Sequence, residues 1–139
     1  MAHPYHHSLS SVKKWGGSVE DYLPIHSWLD ESKKIIADFR HRALRHHAEG
    51  IFMAETIFGS TITLSTGRVI PVRWIGEQHV KEDLGFIPSF ADWVRAIRPE
   101  PWMGRAMKLD GEAPSALSCV LPDPISDLQP QGLALRTTA

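Results

Sequence analysis

The chain has 139 residues, a hydrophobic fraction of 42% and a single cysteine, Cys119. That length carries one domain with a real core, and the lone cysteine excludes an intrachain disulfide or a cysteine-built zinc site. A formal net charge of −1 excludes a whole-protein basic field, so nucleic acid is not the expected partner.

In chain order, Pro4 opens and Gly16-Gly17 closes an expected helix over residues 4–15. Ser18, with Asp21 three residues on, has the pattern of an N-cap for a second helix. That helix is expected to run to about residue 37, with Pro24 in its first turn or restarting it. At about 100° per residue, Ile25, Trp28, Leu29, Ser32, Ile35 and Ile36 share one arc, the stripe a helix turns to a core. His26 and Asp30, four residues apart, are helical neighbours on the flank of that stripe.

Asp38 is a candidate N-cap for a third helix reaching Phe58 and stopped by Gly59. With Leu44 at the centre of its apolar face, Ile51, Ala48, Phe58 and Glu55 lie within about 40°. His41 and His47 fall about 60° to either side, and His46 falls roughly opposite. "TITLSTGRVIPV" reads as a β-hairpin at about residues 61–72, with Gly67 supplying the turn. "RWIGEQHVKEDLG" reads as a short helix or compact loop that ends at Gly85. "PSFADWVRAIRP" is a short helix capped by Ser89 with Asp92 at its third position. From Gly104 prolines and serines alternate with isolated apolar residues, the composition of a mobile tail. The expected fold is therefore mainly α with one small β-hairpin, a compact helical domain over residues 1–103 followed by a flexible tail over 104–139.

Histidine is the outlier: all eight lie between His3 and His79. Imidazole and carboxylate are the usual nitrogen and oxygen ligands of zinc, manganese, iron or nickel, and a site needs three or four of them from different elements. His26 with Asp30 and His79 with Asp83 each have the spacing of four that puts two side chains on one helix face. His26, Asp30, His47 and His79 are the candidate metal ligands. Glu55 is a candidate ligand or general base, or else an internal salt-bridge partner for Arg68 or Arg73, because a carboxylate on a core face costs several kcal/mol unless paired. Arg42 and Arg45 are candidate clamps for a phosphate-containing ligand, since arginine forks match phosphate oxygens. No GxSxG elbow, GxxxxGK[ST] loop, HExxH helix or CxxC pair occurs. The opening residues show no apolar signal-peptide core, and no run approaches the ~18 apolar residues of a membrane span, so a cytoplasmic location is expected.

The phrases "HPYHHSLSSVKKWGG", "DYLPIHSWLDESK", "FRHRALRHHAEGIF", "PVRWIGEQHVKEDLG" and "FADWVRAIRPEPWM" together resemble a family of small bacterial and phage proteins of unknown function, over roughly residues 3–103. The resemblance implies a domain boundary and a setting, without an activity. "IHSWLDESK" is also similar, more loosely, to the His-Asp helix of HD-type metal-dependent phosphohydrolases, with His7 before it and His46-His47 after it. In that family the defining His and Asp are adjacent, whereas three residues separate His26 from Asp30.

Two functions are consistent with this pattern. One is a divalent-metal pocket that hydrolyses a phosphoester. The other is a non-catalytic phage or mobile-element accessory protein that binds a host or phage protein through "PEPWMGRAM" and the tail.

Overall fold

The computed structural model describes residues 3–110. The chain divides into two units, Met1–Ala96 and Ile97–Ala139. In the first unit, α1 (Pro4–Trp15) leads through Gly16 and Gly17 to α2 (Val19–Asp30), and α3 (Ala48–Phe58) precedes the hairpin. Strands β1 (Thr61–Thr63) and β2 (Val69–Pro71) pair antiparallel, Ile62 opposite Ile70, before α4 (Val72–Leu84) and α5 (Phe90–Arg95). Two 3₁₀ turns, Glu31–Lys34 and Phe39–Leu44, join α2 to α3. The expected mainly helical fold with one hairpin is the fold observed.

Local chemistry accounts for most of these boundaries. Asp21 accepts a hydrogen bond from the Ser18 backbone at 2.8 Å and also bonds Ser65, so one carboxylate caps α2 and ties it to the hairpin turn. Gly67 turns the hairpin at φ 87°, a conformation that a side chain disfavours. Ser89 and Asp92 form a reciprocal capping box at α5. No helix among the described residues is long and apolar enough to cross a membrane.

The apolar core gathers Tyr22, Ile25 and Leu29 of α2, Ala54 of α3, Leu64 and Ile70 of the hairpin and Val72 and Ile75 of α4. Burying a side chain such as Leu29 contributes roughly 1.5–3 kcal/mol. One residue further along, about 100° around the same helix, α2 carries a second buried face made of His26 and Asp30. Likewise, α4 places Val72 and Ile75 in the apolar core and, one and two turns on, buries Gln78 and His79. A polar core thus adjoins the apolar one along the same two helices.

Two expected helices are shorter than their periodicity suggests. The second stops at Asp30 and tightens into the 3₁₀ turn, which buries Ser32 against His41 and leaves Ile35 75% exposed. The third is two pieces: Phe39–Leu44 is 3₁₀, and α3 begins only at Ala48. Leu44, expected at the centre of an apolar face, is exposed. Gly50 is what permits the break. A Cβ there would lie 1.9 Å from the Arg45 carbonyl oxygen, so only glycine lets the chain double back against the first turn of α3. In the second unit, Pro101–Asp110 forms 3₁₀ turns kinked at Gly104, so helical turns extend into the start of the expected tail. Residues 111–139 of that tail lie outside the described residues.

Candidate metal centre

Four side chains from three segments converge in the polar core: Asp30 from the end of α2, His46 from the loop before α3, and His79 and Asp83 from α4. One ligand atom from each lies within 4.8 Å of all the others. His46 Nε2 stands 2.9 Å from Asp83 Oδ2, 3.5 Å from Asp30 Oδ1 and 3.1 Å from His79 Nε2. His79 Nε2 is 3.4 Å from Asp30 Oδ1 and 3.5 Å from Asp83 Oδ2. A tetrahedral ion with bonds of about 2.0–2.1 Å to nitrogen and oxygen separates its ligands by about 3.3–3.4 Å. The five measured edges bracket that value.

The backbone around His46 is fixed from several sides. Trp93 Nε1 donates to the His46 carbonyl at 3.0 Å, and the Ala48 N–H donates to the Pro88 carbonyl at 2.9 Å. Arg45 lies over the Trp28 ring at 4.2 Å, donates to the Trp28 carbonyl and pairs with Glu31. These contacts hold the turn whose extended residue, His47, caps α3.

Electrostatics prepare the cluster for a cation. Burial alone would raise the Asp30 carboxyl, yet the approach of His46 and His79, with Lys33 at 3.2 Å, outweighs it and holds the group well below the usual carboxylate range. The same opposition holds Asp83 well below that range, with His46 and His7 as its neighbours. Burial pushes His79 down to about 4 and His26 down to about 2, so both rings are neutral at physiological pH. Anionic carboxylates beside neutral imidazoles are the protonation states a divalent ion requires. Both Asp30 carboxylate oxygens and His46 Nδ1 are buried with no hydrogen-bond partner among the described residues, as are His7 Nε2, His41 Nε2 and Arg42 Nε. Lys33 faces Asp30 Oδ2 at 3.2 Å, while Oδ1 is turned to the two imidazole nitrogens, the direction in which the ligand set opens.

Around these four stands a second layer. His7 from α1 reaches Glu82 with Nδ1 at 3.3 Å and Asp83 with Nε2 at 3.4 Å. Burial lowers its pKa, but Asp83 and Glu82 outweigh burial and raise it. Arg42 comes within 3.6 Å of Asp83 Oδ1. His41, packed edge-on to His46, bonds Ser32 Oγ at 2.9 Å.

Of the residues expected from sequence to bind a metal, Asp30 and His79 lie in the cluster and His26 lies directly behind it, 2.9 Å from His79. His47 is elsewhere: its Nδ1 accepts the Gly50 N–H at 2.9 Å, making it the N-cap of α3, and its Nε2 faces the Leu44 carbonyl at 3.1 Å. Glu55 sits half-buried on α3 outside the cluster. Its expected partners are engaged elsewhere, Arg68 with the Trp15 carbonyl and Arg73 with Glu77. Arg45 is occupied as a pin on α2, whereas Arg42 borders the cluster. One continuous helix from Asp38 would turn His46 away from the core; the break at residues 45–47 turns it into the cluster. The spacing of four that marks His79 with Asp83 is the signal that points to Asp83.

The chain belongs to a family described only as "Domain of unknown function (DUF6915)", whose model matches residues 2–103. No curated protein and no solved structure matches the chain.

Proposed function

We propose that this member of the DUF6915 family is a divalent-metal protein whose ion is held by Asp30, His46, His79 and Asp83. The observation that carries the proposal is the set of five ligand-to-ligand distances between 2.9 and 3.5 Å, five of the six edges of a tetrahedron sized for a first-row transition metal, with the sixth, between Asp30 and Asp83, within 4.8 Å. Two imidazoles and two carboxylates suit zinc, manganese, iron or nickel, and tetrahedral geometry favours zinc among them. Four protein ligands close a tetrahedral shell, the arrangement of structural sites. Here the ion would tie α2 and α4 to the turn before α3, a cross-link between segments 16 to 37 residues apart in this chain.

Metal analysis tests this on full-length protein purified without an affinity tag. About one equivalent of transition metal is expected, lost in His46→Ala and in Asp83→Asn. Less than about a tenth of an equivalent, unchanged by either substitution, would sink the proposal.

Arg42 supports a second reading, a metal-assisted phosphoester hydrolase. Its guanidinium comes within 3.6 Å of Asp83, and its Nε is buried without a hydrogen-bond partner, so a fork that matches phosphate borders the ion's ligands. Metal-loaded protein would then hydrolyse an aryl phosphate, and Arg42→Met would slow it with metal content unchanged. Loaded protein inactive on aryl mono- and diesters would leave the structural reading alone.

A further inference from the structure

We infer that Ser11 and His26 are positioning residues that set the tautomer of His79 and aim its Nε2 lone pair at the cluster. The inference rests on the metal reading for its purpose but not for its geometry. Four side chains form an unbroken line away from the proposed ligands. His79 Nδ1 lies 2.9 Å from His26 Nδ1, His26 Nε2 lies 2.8 Å from Ser11 Oγ, and Ser11 Oγ lies 2.7 Å from Gln78 Oε1. Gln78 in turn donates its amide to the His7 carbonyl at 3.0 Å and to Glu82. His26, Ser11 and His79 have no solvent exposure, and every link in the line is a direct contact of 2.9 Å or less.

Counting protons from the outer end leaves one assignment. The Gln78 amide N–H₂ is committed to the His7 carbonyl and Glu82, which makes its Oε1 the acceptor facing Ser11. Ser11 has one proton, and its other neighbour within reach is also an acceptor, the His7 carbonyl at 3.1 Å. Whichever oxygen receives that proton, Ser11 has none left for His26, so His26 Nε2 carries the hydrogen and donates to Ser11. In a neutral ring His26 Nδ1 is then an acceptor. The hydrogen between the two rings must belong to His79 Nδ1, and His79 Nε2 is left with its lone pair. That nitrogen is the one 3.1 Å from His46 Nε2 and 3.4 Å from Asp30 Oδ1.

Metal-bound histidines usually take this orientation from a carboxylate or a backbone carbonyl on the far nitrogen. In this chain a second histidine does it, backed by a serine hydroxyl. The opposite polarity would need a doubly protonated His26 at a fully buried position and would turn a His79 Nε2–H toward the other ligands, which would block metal binding.

The test begins with nitrogen-15 correlation spectra of the imidazoles in full-length, metal-stripped protein. The expected result is His79 protonated on Nδ1 and His26 on Nε2. A proton on His79 Nε2, or none on its Nδ1, overturns the inference even if the protein binds metal. The readout is independent of metal analysis: protein that takes up no metal yet shows these tautomers refutes the function proposed above and leaves the relay standing. Cobalt(II) titration of variants supplies the second arm. His26→Leu, which removes the acceptor, should weaken cobalt binding about 10- to 100-fold. His26→Asn, whose Oδ1 occupies the place of Nδ1, should restore it to within about threefold, because the acceptor for the His79 Nδ1 hydrogen is kept. Loss in the asparagine variant equal to that in the leucine variant, with both folded, counts against the relay; should the leucine variant not fold, the asparagine variant and the tautomers decide.

Discussion

Substituting alanine for Gly50 is the sharpest test of how the backbone builds the centre. An ideal Cβ at residue 50 falls 1.9 Å from the Arg45 carbonyl oxygen, 2.6 Å from its carbon and 2.9 Å from Arg45 Cα. Ordinary contact between such atoms begins above 3 Å, so the peptide after Arg45 must retreat by more than 1 Å on the order-of-magnitude scale at which packed interiors resist overpacking. Alanine would recover up to about 1 kcal/mol of helix propensity, but overlap with rigid backbone costs more, and a net loss of about 3 kcal/mol is expected. For a domain of this size that corresponds to a fall of roughly 12–24 °C in melting temperature. The displaced peptide leads directly into His46, whose Nε2 stands 2.9 Å from Asp83. Zinc affinity should therefore fall at least tenfold, a shift that a 1 Å error in ligand placement is enough to cause. Gly76→Ala serves as the control. Its Cβ would lie 3.1 Å from Ile51 Cγ2 and 3.2 Å from Cγ1, an overlap of tenths of an ångström with a side chain rather than with backbone, so roughly 1 kcal/mol and little change in metal affinity are expected. Urea melts and zinc competition with a chromophoric chelator measure both quantities. A Gly50→Ala protein within 1 kcal/mol of wild type, on the scale of ordinary surface changes, and with unaltered zinc affinity would refute the reasoning.

Two neighbouring histidines should behave differently. His46→Ala should abolish metal binding, whereas His47→Ala should remove only the cap on Gly50 N–H, costing about 1 kcal/mol in a urea melt and leaving metal content intact; equal metal loss in both would contradict the assignment. Acid should destabilise the metal-free protein. His26 and His79 have folded pKa values lowered to about 2 and about 4, so between pH 6 and pH 4 the unfolded chain binds more protons than the folded one. Each then removes about 1.4 kcal/mol per pH unit as pH falls below the unfolded value near 6.5. Asp30 and Asp83, also lowered, add to the loss below about pH 4. His7, whose pKa is raised, opposes this in part, since its contribution is present at low pH and lost as pH rises through its folded value. Denaturant midpoints that stay flat from pH 7 to pH 4.5 would contradict buried neutral histidines.

Where the reading from sequence succeeded, the signal was local. Pro4 and Gly16 bound α1, Gly67 turns the hairpin and Ser89 with Asp92 caps α5, because capping and positive φ depend on residues within one turn of each other. Spacing of four likewise marked His26 with Asp30 and His79 with Asp83, and both pairs do share a helix face. The errors arose where a helical period was carried across a break. With one helix from Asp38 to Phe58, His46 faces away from the core; the 3₁₀ turn and the extended residue His47 bring it into the cluster, while His47, also buried, caps α3 instead of joining it. Nothing in the hydrophobic period announces that break. It depends on the Arg45 carbonyl lying where a Cβ at residue 50 would be, and the sequence shows a glycine there without showing what approaches it.

The amino-acid order by itself determined a mainly helical chain with one hairpin and a set of histidines and acids paired at helical spacing. Tertiary structure alone decided which of them meet. Asp30 and Asp83 stand on α2 and α4, helices brought side by side by the apolar core that Ile25, Leu29 and Ile75 form. Those apolar contacts are not directional, so the sequence records that the two helices must be covered but not the rotation at which they pack. That rotation sets the distances between carboxylate and imidazole to within an ångström, and at buried charged groups an ångström separates a ligand set from an ion pair.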